Sequence, residues 1–245
     1  MIYNDLDFII KQKTTKKKII IIDLKKRKKI NEIIFDNPTQ EIEEYIWIDN
    51  NNFAILGYAG RGNRILTFCN IKENKVDFLI GGSYIRISPN KRRVIFISAR
   101  HPNFSEEVDS DNIRAIDLDY IYSLDKKSRD ASNYIRELYP VDAERRQLTK
   151  FNILDDKYFI VGDIGFMWLD NDNVSFVGDY KNTSYFIIFK FNKFVDDFDI
   201  KKIPLKNKFE IINSMSKKDS QVIIEGLKLS ENNSYVKIIE AVKIE

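Results

Sequence analysis

The chain is a succession of short apolar runs separated by polar turns. Ile19–Ile22 lies between the basic stretches Lys16–Lys18 and Lys25–Lys29, and the next run is Ile30–Phe35. Short runs rich in isoleucine, valine and phenylalanine predict β-strands rather than helices. Ile19–Ile22 is apolar at every position, so we expect both faces of that strand to be covered.

The same pattern predicts a four-stranded antiparallel meander in the next part of the chain. Asn50–Asn52 predicts a tight turn because asparagine tolerates left-handed backbone conformations. The glycines of Gly57–Gly62 predict a loop, and Gly81 and Gly82 predict the end of the unit. The predicted strands are Glu44–Asp49, Phe53–Tyr58, Arg64–Ile71 and Val76–Ile80.

The clearest hairpin of the chain is Tyr84–Ser98, with a turn at Pro89–Arg92 between two strands. A polar excursion, His101–Asn112, follows it, and Ile113–Leu124 again has strand character. Ser128–Tyr139 predicts the one short inserted helix, capped by its serine and stopped by Pro140. The first predicted strand of the chain is Leu6–Gln12. The predicted strands beyond residue 148 are Phe151–Leu154, Lys157–Val161, Phe166–Leu169, Val174–Val177, Ser184–Phe191, Ile200–Leu205, Glu210–Ser214, Gln221–Leu227 and Tyr235–Val242.

A weak internal repeat organises these strands. Ile46–Asn52 reads Ile-Trp-Ile-Asp-Asn-Asn-Asn, and Met167–Asn173 reads Met-Trp-Leu-Asp-Asn-Asp-Asn. The two copies are separated by about three repeats of roughly forty residues. We therefore predict an all-β chain: one β-propeller domain over residues 1–245 with about five four-stranded antiparallel blades. A propeller with six blades, or an incomplete propeller, is the alternative prediction.

One hairpin resembles a known repeat. Ser88–Phe96 reads Ser-Pro-Asn-Lys-Arg-Arg-Val-Ile-Phe and is similar to the repeat of TolB-like and related WD40-like propellers, whose turn typically reads Ser-Pro-Asp-Gly-Lys. Asn90 stands for the usual aspartate and Lys91 for the usual glycine. Ile21–Ile30 resembles the outer hairpin of such blades. The resemblance implies a fold rather than an activity, because this scaffold carries many functions.

Charge is concentrated at one place. The chain has a net charge of +3, but Lys11–Lys29 alone holds ten basic residues and one aspartate. Such an edge would suit an acidic protein or phosphates, and as an edge strand it would also resist aggregation. We predict a non-catalytic protein-interaction or ligand-binding propeller, with an electrostatic nucleic-acid binder as an alternative. Lys11–Lys29 contains no aromatic residue, so it predicts no stacking platform. The candidate binding residues here are Lys25, Lys26, Arg27, Lys28 and Lys29.

Two loops add further candidates for binding. The glycine-rich loop carries Arg61 and Arg64, which could form a polar contact surface. The exit from the central hairpin carries Arg100 and His101, and the excursion after it is acidic. The acidic candidates are Glu106, Glu107 and Asp109.

Catalysis is less well supported. A hydrolase acting on glycans or peptides through carboxylates or His101 is the other alternative, but His101 is the single histidine and no nucleophile motif accompanies it. The single cysteine, Cys69, lies in an apolar run and is expected to be a buried hydrophobe. Trp47 and Trp168 are expected to be core residues. We predict no cofactor, no metal and no membrane partner.

The start of the chain, Met1–Asp7, lacks a basic stretch followed by a long apolar segment, which predicts a cytoplasmic protein.

Overall fold

The computed structural model describes residues 15–37, 39, 41–60, 63–97, 113–123, 159–160, 164–193 and 197–244. The described chain is almost entirely antiparallel β-structure, in which successive strands pair as meanders. It divides into two compact units, one holding residues 15–83 and 119–123, the other residues 84–97, 113–118 and 159–244.

The first unit begins with a two-stranded sheet and continues with a meander. Strand β1 (Thr15–Asp23) pairs with β2 (Lys28–Asn37) in a hairpin that turns at residues 24–27, so the two apolar runs around the basic stretch do form strands. The meander runs in the order β3-β4-β5-β6. Its strands are β3 (Glu41–Trp47), β4 (Asn52–Gly60), β5 (Asn63–Asn70) and β6 (Lys75–Ile87).

Gly57, Gly81 and Gly82 all lie within strands of this meander. Gly57 is not in a loop but is buried within β4, paired with Ile42 on one side and Ile65 on the other. A Cβ at this glycine would come within 2.7 Å of the Glu41 carbonyl oxygen, so close strand approach requires glycine here. Gly81 and Gly82 lie buried inside the long strand β6, so no strand ends at them, but the boundary between the two compact units follows them at residues 83 and 84.

The core of the first unit lies between the two-stranded sheet and the meander. Ile33 and Phe53 are buried at its centre, with Ile55 and Cys69 beside them. Ile19 and Ile21 of β1 pack against this cluster, whereas Ile20 is half exposed on the other face. The expectation that Ile19–Ile22 is covered on both faces is therefore wrong: only alternate residues are covered.

The second unit contains the end of β6 from Tyr84 onward and three further groups of strands. β7 (Arg93–Ile97) pairs with β8 (Ile113–Asp117), and β9 (Phe159–Ile160) and β10 (Met167–Trp168) border β11 (Asn173–Tyr180). β11 pairs with β12 (Thr183–Phe191), and β12 pairs with β13 (Phe198–Pro204). A last sheet has the order β14-β15-β16, formed by Ile211–Lys218, Gln221–Leu229 and Tyr235–Lys243.

The segment after β8 corrects one predicted element. The sequence predicted a strand over Ile113–Leu124, but the strand ends at Asp117 and a short helix, α1 (Leu118–Ser123), follows. Ile116–Tyr120 reads Ile-Asp-Leu-Asp-Tyr, an alternation of period two that is typical of a strand and hides the start of the short helix. The predicted strand Leu6–Gln12, the strand Phe151–Leu154 and the predicted helix Ser128–Tyr139 lie outside the described residues.

The turn at the centre of the chain is held by the side chain of a buried serine. Ser88 is buried, and its hydroxyl oxygen accepts hydrogen bonds from the backbone N–H groups of Arg92 and Arg93. The same hydroxyl donates to the Asn90 side chain at 2.8 Å. Lys91, which stands where the related repeat has glycine, adopts a left-handed φ of 62°.

The two tryptophan segments fold into the same turn. In the first copy, the Asp49 carboxylate accepts hydrogen bonds from the N–H groups of Asn51 and Asn52, and the Asn51 carbonyl accepts from the N–H of Ile71 at 2.8 Å. Burial acts to raise the pKa of Asp49, but these hydrogen bonds and the Asn52 amide outweigh it and lower the pKa.

The second copy repeats each of these bonds. The Asp170 carboxylate accepts from the N–H groups of Asp172 and Asn173, and the Asp172 carbonyl accepts from the N–H of Phe191 at 2.8 Å. The internal repeat seen in the sequence is thus a repeated hydrogen-bonding unit that links a short strand to the second strand after it.

A partly buried carboxyl group in the second unit gives the fold a pH dependence. Burial raises the pKa of Asp179, although the hydroxyl of Ser184 donates a hydrogen bond to it and opposes the shift. A carboxyl whose pKa is raised by folding stabilises the fold below its ordinary pKa and loses that contribution as the pH rises through the folded value. We expect Asp179→Asn to gain stability relative to the wild type as the pH rises above about 4, since asparagine still accepts the Ser184 bond. Urea titrations between pH 4 and pH 8 would show this, and a difference that stays constant with pH would contradict it.

Candidate binding surface on the first hairpin

The β1–β2 hairpin presents an apolar outer face. Ile20 of β1 lies opposite Glu32 of β2, and Lys18 lies opposite Ile34, so these four side chains share the face that points away from the core. Lys18 forms an ion pair with Glu32 at 2.8 Å, and Lys29 forms a second one with the same carboxylate. The hydrogen bonds from these two lysines lower the pKa of Glu32. The exposed apolar residues of the hairpin are Ile20, Ile22, Leu24, Ile30 and Ile34.

The tip of the hairpin is basic and carries one apolar side chain. The Asp23 carboxylate accepts hydrogen bonds from the N–H groups of Lys25 and Lys26, which fixes the turn, and Arg27 takes a left-handed φ of 49°. Leu24 at the tip is 85% exposed. Within the part of the chain that the structure describes, Lys25, Arg27 and Lys28 form no ion pair. Their charges are therefore available to an external group.

Two aromatic residues of β3 extend this surface. Tyr45 is 58% exposed and Trp47 is 57% exposed. The Trp47 ring stands against the buried ring of Phe53, with a centroid separation of 5.8 Å. The expectation that Trp47 belongs to the core is therefore wrong, because it lies on an edge strand where only one side of its ring is covered. Trp168 fits that expectation better, since it is half buried and packs against Phe191.

A cleft of about 390 Å³ separates β1 from β3. It is bordered by Lys18–Ile22 of β1 and Tyr45–Trp47 of β3, and Phe53 forms its floor. We call this space the β1–β3 cleft. Together with the hairpin's outer face and basic tip, it forms what we call the hairpin surface.

The structure brings some predicted binding residues together and separates others. Lys25–Lys29 all lie on the hairpin surface. Arg64 lies elsewhere in the same unit, paired with Glu43 at 2.8 Å, so it is not an uncommitted cation. The remaining candidates lie outside the described residues: Arg61, Arg100, His101, Glu106, Glu107 and Asp109.

Sequence reasoning missed the aromatic part of this surface. No aromatic residue occurs within Lys11–Lys29, but the fold places Tyr45 and Trp47 of β3 beside Lys18 and Ile20 of β1. The signal in the sequence was the period of two in Glu44–Asp49, which places Tyr45 and Trp47 on one face of the strand and Ile46 and Ile48 on the other.

The buried thiol has no chemical role in this surface. Burial raises the pKa of Cys69 to about 12, and the charge of Asp77 adds to the shift. The prediction that Cys69 is a buried hydrophobe is confirmed. Because the thiolate is the reacting species, we expect iodoacetamide at pH 8 to leave Cys69 unmodified in the native protein and to modify it fully in urea. Mass spectrometry of the native protein that showed complete modification within the same time would contradict this.

A second exposed apolar area lies on the last sheet of the second unit, but it lacks the charge pattern of the hairpin. Tyr235 and Ile239 of β16 are exposed there, while Lys237 is paired with Glu225 at 3.2 Å. In the described part of the chain, no helix is long and apolar enough to cross a membrane.

Comparison with known proteins finds solved structures that resemble this chain at low sequence identity and low TM-score. No family model matches the sequence, and no curated protein matches it. Among solved structures, hydrazine synthase of Kuenenia stuttgartiensis aligns over 90% of this chain and 64% of its own, with 13% identity and a TM-score of 0.40. The β-propeller domain of the Trilobed protease from Pyrococcus furiosus aligns over 94% of this chain and 74% of its own, with 11% identity and a TM-score of 0.31. Oligopeptidase B from Leishmania major aligns over 85% of this chain and 27% of its own, with 6% identity and a TM-score of 0.38. This chain thus spans less than two thirds of the hydrazine synthase chain, and these likenesses carry no conclusion about its activity.

Proposed function

We propose that the protein is a non-catalytic interaction module of β-propeller type that binds another protein through the hairpin surface. The observation that carries this proposal is the concentration of exposed apolar and aromatic side chains beside uncommitted cations. Exposed apolar patches on soluble domains mark interaction sites. Tryptophan, tyrosine and arginine are the residues that most often dominate binding energy at interfaces, and Trp47, Tyr45 and Arg27 occur together here.

The propeller assignment is supported by the local architecture. The described strands form successive antiparallel meanders, and the two Trp-containing turns share one hydrogen-bonding pattern. The Ser88 turn joins the neighbouring strands β6 and β7 tightly, with a left-handed residue at Lys91. A single ring of about five blades, related to TolB-like and WD40-like repeats, accounts for these features.

A second function is favoured by one observation. Proteins that bind single-stranded nucleic acids combine a basic groove with exposed aromatic rings on which bases stack. Tyr45 and Trp47 supply such rings beside the basic hairpin. Several exposed isoleucines and Leu24 favour a protein partner instead, because phosphates and bases gain little from contact with isolated aliphatic side chains.

Affinity capture from native lysate with two charge-reversal variants tests the proposal. The hairpin variant combines Lys25→Glu, Arg27→Glu and Lys28→Glu. The matched control combines Lys190→Glu, Lys206→Glu and Lys243→Glu, which are exposed residues of the second unit. We expect the wild type and the control to retain one stoichiometric protein that the hairpin variant loses.

Nuclease treatment and salt separate the two functions. A nucleic-acid ligand would disappear with nuclease and would weaken by at least about tenfold between about 50 mM and about 200 mM salt. Equal capture by the hairpin variant and the wild type would contradict both functions.

A further inference from the structure

We infer that the β1–β3 cleft binds an extended, acidic segment of the protein partner, which adds to the open edge of β1 as a new strand. This inference rests on the proposed function and names the chemistry of the partner segment. It is argued from the edge of β1, from the walls of the cleft and from the charges around it.

The cleft is bordered by the backbone edge of β1. Five consecutive residues of β1, Lys18–Ile22, line it. Successive side chains of a strand point to opposite faces, so five consecutive residues can border one space only where the edge of the strand faces it. Among the described strands, β1 pairs with β2 alone, and β2 occupies its other edge. The N–H and C=O groups along this edge are a template for strand addition.

The walls of the cleft select side chains of an added strand. Tyr45 and Trp47 lie opposite Ile55 and Phe53 across the β3–β4 pair, so their rings project to the face on which β1 packs. One set of alternate side chains of an added strand would contact these rings, while the other set would continue the outer face formed by Ile20 and Ile22. The set that contacts the rings meets apolar surface, whereas the outer face also carries Lys18, so the cleft favours β-branched or aliphatic residues at alternate positions.

The charge around the cleft selects acidic flanking residues. Lys25, Arg27 and Lys28 form no ion pair within the described chain and stand at the tip of the strand whose edge is open. The nearby Lys18 and Lys29 are both held by Glu32. A carboxylate-rich segment would therefore meet uncompensated positive charge at one end of the cleft, whereas a basic segment would be repelled.

A designed peptide tests strand addition directly. The probe is a short fluorescent peptide in which valine alternates with glutamate, and binding to the full chain is measured by fluorescence anisotropy. The matched control replaces each glutamate by lysine. We expect saturable binding of the acidic peptide, no binding of the basic one, and a loss of at least about tenfold in affinity with Trp47→Ala or with the triple hairpin variant.

Methylation of the peptide backbone separates strand pairing from simple attraction. The N–H groups of successive residues of a strand point to opposite edges, so those of alternate residues share one edge. We therefore prepare one peptide N-methylated at its valines and one N-methylated at its glutamates. One of the two should bind like the parent and the other should lose binding. Equal binding of both, or loss of both, would overturn pairing along a single edge.

Other occupants of the cleft give different outcomes, each of which overturns the inference. Binding of the acidic peptide that appears only after deletion of residues 1–14 would assign the cleft to the chain's own N-terminal segment. Binding of oligothymidine or of phosphatidylserine vesicles, with no binding of the acidic peptide, would assign the surface to nucleic acid or to lipid. If the peptide fails while the hairpin variant still loses a captured protein, the inference is wrong and the proposed function stands.

Discussion

The substitution Arg93→Met is expected to destabilise the second unit by about 3–5 kcal/mol, because it removes a buried cation from carboxylates and carbonyls that face it. The Arg93 side chain is only 8% exposed. Its guanidinium donates to Asp117 at 3.1 Å and also to Asp172. It lies 5.3 Å from the centre of the Phe191 ring. Methionine keeps most of the volume, so the loss would report the charge and its hydrogen bonds rather than a cavity.

Arg93 matters because it joins two groups of strands within the second unit. It starts β7, pairs with Asp117 on β8, and also donates to the carbonyls of Asn171 at 3.4 Å and Lys193 at 3.3 Å. The neighbouring Arg92 is exposed and provides the matched control, since surface substitutions usually change stability by less than about 0.5 kcal/mol. Urea titrations of Arg93→Met and Arg92→Met measure both effects, and a similar small loss for the two variants would contradict this role.

The substitution Gly226→Ala is the second large expected effect. Gly226 lies in β15 opposite Ile212, beside the irregular register between β14 and β15. A Cβ at this position would come within 2.2 Å of the Ile211 carbonyl oxygen and 2.7 Å of the Phe209 ring. A carbonyl held in a sheet cannot move like the end of a flexible side chain, so the strands must separate. We expect a loss of about 1–3 kcal/mol, at the upper end of that range for a backbone clash.

The control for Gly226→Ala is Ser214→Ala on the neighbouring strand, where the side chain is exposed. Alanine there removes a surface hydroxyl without adding volume. Thermal denaturation followed by circular dichroism compares the two variants. A melting temperature of Gly226→Ala equal to that of Ser214→Ala would show that the sheet adapts to the methyl group, contrary to the expectation.

Much of the fold could be predicted from the sequence because local signals agree with tertiary structure here. Strand runs such as Ser184–Phe191 and Gln221–Leu227 lie within β12 and β15. The Ser88 turn and the two Trp-containing turns were recognisable because their polar side chains bond to backbone groups only a few residues away. Such short-range interactions leave a recognisable pattern in consecutive residues of the sequence.

The failures have a common physical cause in long-range packing. Gly57 has the appearance of a loop residue in the sequence, but it lies in β4. Glycine is needed there because Thr39 and Glu41 approach its backbone closely. Arg93 reads as an ordinary first residue of a strand, whereas its partners Asp117 and Asp172 lie 24 and 79 residues away along the chain. Trp47 reads as core because tryptophan is large and apolar, yet its exposure depends on which strands lie at an edge.

The positive charge of the candidate site could be predicted from the sequence, but the shape of the site could not. Lys25–Lys29 form an uninterrupted run of cationic residues in the sequence. The exposed face of the hairpin could not be predicted, because the exposed Ile20 and Ile22 are the same residue type as the partly buried Ile19 and Ile21. The β1–β3 cleft depends on two strand edges that lie more than twenty residues apart in the chain, and no local pattern encodes that proximity.

Photo-crosslinking at the cleft tests most directly whether the hairpin surface binds a protein. Benzoylphenylalanine replaces Tyr45 in one variant and Lys190, an exposed residue of β12, in a control. After irradiation in the native cells, our account predicts a discrete protein adduct at position 45 that is absent at position 190. The adduct should disappear when Lys25→Glu, Arg27→Glu and Lys28→Glu are added. Equal crosslinking at both positions, or an adduct at position 45 that survives the three charge reversals, would contradict the account.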